Sequence, residues 1–96
     1  MHTLILEIDL HIPEATSLKA KRSVVQSLVR RIDDRHGVAA AEVAEHDTHQ
    51  RAVLGAAIVG GSPGHLERVG DDIDRFIWSE PRVEVLDIAR SWWSSE

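Results

Sequence analysis

Positions 44–52 read AEHDTHQRA: His46 and His49 stand three residues apart, with Asp47 between them and Glu45 and Arg51 close by. Imidazole nitrogens bind divalent metals, and an imidazole beside a carboxylate can be oriented for proton transfer. Two chemistries are therefore open to this stretch, a metal site and an acid–base site. The spacing specifies neither strongly, because H-x-x-H in a loop lacks the helical frame that gives a two-histidine zinc motif its geometry. The chain has no cysteine, which removes disulfides, thiolate ligands and a cysteine nucleophile. The segment GGSPG at 60–64 lacks the lysine and the spacing of a phosphate-binding loop and reads as a helix entry. The plain alternative is a solvated hairpin in which Asp47 bonds its own backbone and Arg51 pairs with Asp9 or Glu7.

Which chemistry is available depends on the elements that hold these residues. Strict alternation from Leu4 to Ile12 predicts a strand, with Leu4, Leu6, Ile8, Leu10 and Ile12 on one side. Ile5, Glu7, Asp9 and His11 fall on the other, and Pro13 ends the strand. Thr16 or Ser17 then caps a helix with the stripe Leu18, Val25, Leu28, Val29 and Ile32. Lys19, Lys21, Arg22, Arg30 and Arg31 lie mostly off that stripe, and His36-Gly37 closes the helix with Gly37 as a left-handed cap. VAAAEVAE at 38–45 and RAVLGAAIVG at 51–60 read as the second and third strands, joined by the histidine stretch as a hairpin loop. Ser62 and Pro63 start a second helix, which carries Leu66, Val69, Ile73, Phe76 and Ile77 on one face and stops before Pro81. RVEVLDIA at 82–89 is the last strand. Residues 90–96 read as a short tail whose Trp92 and Trp93 pack onto the body or onto a second subunit.

The order β-α-β-β-α-β is the ferredoxin-like arrangement: one α+β domain over 1–96, a four-stranded antiparallel sheet with both helices on one face. Strands one and three are expected at the centre, and the uncovered face of strand one then carries Glu7, Asp9 and His11. If Leu54, Ala56 and Ile58 face the helices, Arg51 and Val53 join them; if Val43 faces the helices, Glu42 and His46 do so too. The expected ligand-binding corner is therefore Glu7, Asp9, His11, Glu42, His46, His49 and Arg51. A metal there would take His11, His46 and His49, whereas acid–base chemistry would use His11, His46 and Asp9. A slip of one residue would dissolve the corner. No cofactor is expected from the sequence, and a divalent metal is the ligand this corner would suit.

Ninety-six residues, 43% apolar and 28% charged, suit one soluble globular domain. No apolar run approaches the roughly 18–20 residues of a membrane span, and charges punctuate the first residues where a signal peptide would be apolar. A cytoplasmic protein with no membrane contact is expected. The formal net charge of −5 confines any nucleic-acid role to a local patch, and KAKR at 19–22 with Arg30 and Arg31 is the visible one. Lys19, Lys21 and Arg22 in a first helical turn oppose the helix dipole, a placement that suggests use against an acidic partner or a phosphate backbone. The alternative is a solvated face with snorkelling lysines. Trp78, Trp92 and Trp93 could stack on bases, but the chain has no tyrosine and only one phenylalanine, so no RNA-binding aromatic platform is evident.

The segments LHIPEATSLKAKRSVVQSLVRRI, AAEVAEHDTHQRAVLGAAIVG and VEVLDIARSWW give the chain a resemblance, over nearly its whole length, to the YlxP-like family of small bacterial proteins of unknown function. The most specific pieces are Ser17, Leu18 and Lys19 followed by Lys21 and Arg22, then Ala41-Glu42-Val43, then Asp47 with Gln50, Arg51 and Ala52. The resemblance implies a ferredoxin-like fold. It also implies a role near the ribosome, since genes of the family often lie beside those for translation initiation and ribosome-maturation factors. Ala20 stands where the family commonly has an acidic residue, which makes this helix start more basic. His49 stands where the family often has an aromatic residue, so it does not speak for an activity shared across the family.

Two functions follow as expectations. The leading one is a non-enzymatic binding module, homodimeric through part of its open sheet face or an edge strand. It would dock on a ribosomal or RNA-associated partner with Lys19, Lys21, Arg22 and Arg30. The rival is an enzyme or small-ligand-binding protein with its pocket between the open sheet faces of a dimer. An accessory subunit of a larger enzyme would use the same surface.

Overall fold

Alternation at period two on the first strand decides which way the sheet faces. Leu4, Leu6, Ile8 and Leu10 are fully buried and meet Ala52, Leu54, Ala56 and Ile58 of the neighbouring strand beneath Leu28, Ile32, Leu66, Ile73 and Ile77 of the helices. The structure, a computed structural model, describes residues 1–95. Its elements are β1 (His2–His11), α1 (Leu18–Asp33), β2 (Val38–Ala44), β3 (Arg51–Gly60), α2 (Pro63–Trp78) and β4 (Glu84–Ser94). The sheet runs β2-β3-β1-β4, with every neighbouring pair antiparallel. This is the expected α+β ferredoxin-like arrangement.

Both helices start on serine caps. Ser17 Oγ accepts from the Ala20 N–H at 3.0 Å, and Ser62 Oγ accepts from the His65 N–H at 3.4 Å ahead of Pro63 at the first turn. α1 ends sooner than its sequence suggests, at Asp33, with Asp34 in a right-handed conformation as its cap. Gly37 is the left-handed residue, at φ +79°, but it serves the turn into β2 rather than the helix end. A Cβ there would lie 3.2 Å from the Val59 carbonyl, so glycine suits both the conformation and the space.

The residues read as a tail are strand. β4 continues to Ser94, placing Trp92 opposite Leu4 and Trp93 opposite Thr3. The first half of β1 would otherwise lack a neighbour on that side, and tryptophan fits a half-buried pleated surface. Glu96, the end of the expected tail, lies outside the described residues. The register slips between Asp9 and Leu10, whose partners are Asp87 and Val85, so Leu86 is an extra residue bulging from β4 and half-exposed.

Helices and sheet are clasped by charge as well as packing. Arg90 on β4 reaches Asp71 at 2.8 Å and Asp74 at 3.3 Å on α2. At the end of α2, the nearly buried Glu80 receives Arg82 on both oxygens, at 2.7 and 3.2 Å, and Arg31 of α1 at 3.5 Å. The Arg82 guanidinium bonded to Glu80 holds that carboxyl below its ordinary value, against the opposing effect of burial.

Candidate functional site

The open face of the sheet carries the expected polar residues of β1 together with a neighbour from β3. His11 pairs in register with Arg51, and Arg51 Nη2 donates to both Asp9 oxygens, at 2.9 and 3.0 Å. Glu7 and Asp9 share with Asp87 and Ala89 of β4 and Val53 of β3 a shallow hollow of about 200 Å³. Asp87, which lies directly opposite Asp9, was not among the expected residues. Its signal was the adjacent pair Val85-Leu86, where the alternation changes phase and a bulge turns Asp87 to the open face. His11 leans toward β4, with Nδ1 3.6 Å from a Glu84 oxygen, and Glu84 is likewise a partner that periodicity did not single out.

The rest of the expected corner does not assemble on that face. Glu42 lies on the opposite, helix-facing side of the sheet, because Val43, half-exposed, takes the open side. Glu42 meets the buried Lys21 on the helix side at 3.0 Å, and Val43 packs over Gly55 on the other, where a Cβ would stand 2.9 Å from Val43 Cγ1. The condition for Glu42 to join Asp9 and His11, that Val43 face the helices, is therefore not met. His46 and His49 are exposed in the β2–β3 turn, and His46 Nε2 lies 3.2 Å from the Glu42 carbonyl of its own strand. Among the described residues, no three of histidine, cysteine, aspartate and glutamate converge as a metal would require. Asp47 is not the residue that ties the turn. Glu45, at φ +65°, accepts from the Thr48 N–H at 3.2 Å, and its side chain from the Thr48 hydroxyl at 3.2 Å.

What holds the turn is Lys21. It sits at the head of the buried stripe Lys21, Val25, Leu28 and Ile32 rather than off it, and its side chain is fully buried. Its ammonium donates to the carbonyls of Glu45 at 2.7 Å, Arg51 at 3.2 Å and His46 at 3.3 Å, with a Glu42 oxygen 3.0 Å away. Both ends of the turn are thereby fastened to the first turn of α1, and the left-handed Glu45 aims its carbonyl at the lysine. Of the expected partner-binding cations, Lys21 is thus withdrawn from solvent.

The remaining three are exposed on α1, and two of them border a groove between α1 and β2. The groove measures about 520 Å³ and is lined by Arg22, Val25, Gln26, Val29, Arg30, Asp33 and Glu42. Arg22 and Arg30 stand eight residues apart on the helix, about 12 Å at 1.5 Å per residue. Among the described residues, neither has a carboxylate within ion-pair distance. The arrangement sets two separated positive charges around the apolar Val25 and Val29, with Asp33 and the Lys21-paired Glu42 also on the lining. It can bind anionic groups, but shows no nucleophile with an adjacent base.

Known proteins place the chain by sequence and by shape. Its curated relative "Uncharacterized protein YlxP" of Bacillus subtilis (strain 168) is 33% identical over 87 residues, which are 91% of this chain and 94% of that protein. Among solved structures, "Structural Genomics, protein YJCS" superimposes with a TM-score of 0.58 at 11% identity, covering 93% of this chain and 96% of the other. That likeness concerns the fold alone. The model of the family described as "Protein of unknown function (DUF503)" matches residues 3–90, and with this match and the YlxP identity the chain belongs to the DUF503 family.

Proposed function

We propose that the chain is a non-enzymatic binding module that docks on a ribosomal or RNA-associated partner through the α1 groove. The observation that carries this reading is the pair Arg22 and Arg30, exposed on the groove with, among the described residues, no carboxylate within ion-pair distance of either, although Asp33 and the Lys21-paired Glu42 also line it. Lys19, also exposed, extends the basic surface toward the helix start, where cations oppose the helix dipole and so serve no local stabilisation. A chain of net charge −5 that gathers free cations at one groove concentrates its attraction for anions there. The resemblance to a family encoded near ribosome-maturation factors supplies the class of partner.

The test is co-sedimentation with ribosomal particles from cell extract at low salt. The native chain is expected in the particle fraction, and Arg22→Glu with Arg30→Glu is expected to release it. A native chain that sediments alone at low salt would overturn the reading. The module is further proposed to act in the cytoplasm as a homodimer, a reading supported by Ile5, Val59, Leu86 and the tryptophans left in water on a small domain.

A further inference from the structure

The two edges of this sheet differ, and the difference follows from hydrogen-bond parity. Ile12 N donates to the Gln50 carbonyl at 2.9 Å, continuing the β1–β3 ladder, so the even-numbered residues of β1 direct their backbone groups toward β3. The odd-numbered ones face β4, as the bond from Ser95 N to the Met1 carbonyl at 3.0 Å shows. With Asp9 opposite Asp87 and Glu7 opposite Ala89, residues 87, 89, 91 and 93 bond inward. Ile88, Arg90, Trp92 and Ser94 therefore turn their N–H and C=O groups outward, and among the described residues nothing bonds to them.

The outer edge of β2 is covered instead. Val38 N donates to the Arg35 carbonyl at 3.2 Å, Ala40 N donates to an Asp33 carboxylate oxygen at 3.2 Å, and His46 reaches the Glu42 carbonyl. β2 also bulges beyond Glu42. These are devices by which proteins blunt an edge strand, whereas β4 has the bulge at its beginning and the charged Glu84, Asp87 and Arg90, and from Ser91 to Ser94 it has neither.

Two of the three tryptophans lie on the open edge, and the third ends the helix that packs beside it. Trp92 and Trp93 are on β4, 42% and 52% exposed, and Trp78, 64% exposed, is one helical turn beyond the Asp74 that grips Arg90. Tryptophan is the residue most enriched where interfaces draw their energy. An antiparallel edge is complementary to itself under a two-fold axis, since each copy offers alternate donors and acceptors in reverse order. The charges beside the edge do not oppose this, because Arg90 is already paired with Asp71 and Asp74 of its own chain. The open face is less suited to a second copy, since it carries Glu7 and Asp87 beside the Arg51-paired Asp9, charged groups that an apposed face would have to desolvate.

We propose that two copies pair antiparallel along β4, joining their four-stranded sheets into one continuous sheet sealed by the tryptophans. This rests on the homodimer reading given above. The test combines sedimentation, against a protomer mass of 10.7 kDa, with amide hydrogen exchange resolved by NMR. In the dimer, the amides of Ile88, Arg90 and Trp92 are expected to exchange on the order of 100-fold more slowly than the outward amide of Glu42 on β2. Trp92→Pro removes one outward donor and spares the β1 ladder, and is expected to give a monomer with an unchanged far-UV spectrum. If that variant unfolds, exchange in the native chain still decides. A dimer whose Ile88, Arg90 and Trp92 amides exchange as fast as Glu42 would overturn the edge and leave the homodimer standing. A monomer at every concentration would remove both, and protection gained only on adding a different protein would replace the second copy by that protein.

Discussion

The Lys21 ammonium lies 3.0 Å from the Glu42 carboxylate on the helix side of the sheet, and three carbonyls of the β2–β3 turn close around it. The same lysine begins the buried stripe of α1 and ends the hairpin that carries His46 and His49. The basic groove of α1 and the histidine turn are therefore parts of one tethered unit. Desolvating an ammonium is costly, and here a carboxylate and three oriented carbonyls offset that cost.

Replacing Lys21 with methionine keeps most of the volume and removes every one of those bonds. It leaves Glu42 unpaired and the carbonyls of Glu45, His46 and Arg51 without their donor. A loss of about 3 kcal/mol is expected in urea unfolding, with the larger share recovered when Glu42→Leu is added. A loss under about 1 kcal/mol for the single change would show that water replaces the ammonium.

Glu80 gives the fold a defined acid sensitivity. Its carboxyl, held down by Arg82, titrates below the ordinary value of 4.5, so the folded state binds its proton less readily than the unfolded state does. Its contribution is complete above the ordinary value and is lost as pH falls from there through the folded value. Between about pH 6 and pH 3, stability of the native chain should fall more steeply than that of Glu80→Gln, which starts lower at neutral pH. Parallel curves would contradict this assignment.

Two glycines that look alike in the sequence should differ in how much alanine costs. At Gly70, in the middle of α2, a Cβ would stand 2.8 Å from Cδ2 of the fully buried Leu4 and 3.1 Å from an Arg90 nitrogen. Arg90 can swing away but Leu4 cannot, so Gly70→Ala is expected to cost about 1–3 kcal/mol despite alanine's better helix propensity. At Gly55 the obstacle is Val43, which is half in solvent and free to turn. Gly55→Ala should stay within about 1 kcal/mol of the native chain by thermal unfolding.

The Arg51–Asp9 pair, partly exposed on both sides, belongs to the weak class. A double-mutant cycle with Arg51→Met and Asp9→Asn should return a coupling of no more than about 1 kcal/mol that shrinks with added salt. A larger, salt-insensitive coupling would mean that the open face is shielded from water in solution.

The sheet order, both helices and the Arg51–Asp9 pair were legible because period two and period 3.6 are written plainly into β1, β3 and α2. Three features were not. Lys21 sits four residues before Val25, squarely on the buried stripe, but a lysine scores as solvated until a carboxylate and turned carbonyls are known to meet it. The phase of β2 is ambiguous in VAAAEVA, where alanine fits either face, and it shows only in distant partners, Lys21 against Glu42 and Gly55 beneath Val43. The pairing of Trp92 and Trp93 with β1 depends on a bulge whose trace is one break in alternation. In each case the deciding partner lies far away in the chain, where local periodicity carries no information.

The covered edge of β2 also bounds how large an assembly can grow. A sheet open at both margins can add copies head to tail, each offering its far margin to the next, and the product is a fibre without a natural end. Here Asp33, the Arg35 carbonyl and His46 occupy one margin, so strand-to-strand growth has one direction only. Two chains paired as proposed at β4 would present only β2 margins to the solvent, where these groups leave the Glu42 amide as the outward donor. Removing that block, for instance with Asp33→Ala, should turn a self-limiting particle into one whose mass rises with concentration in light scattering.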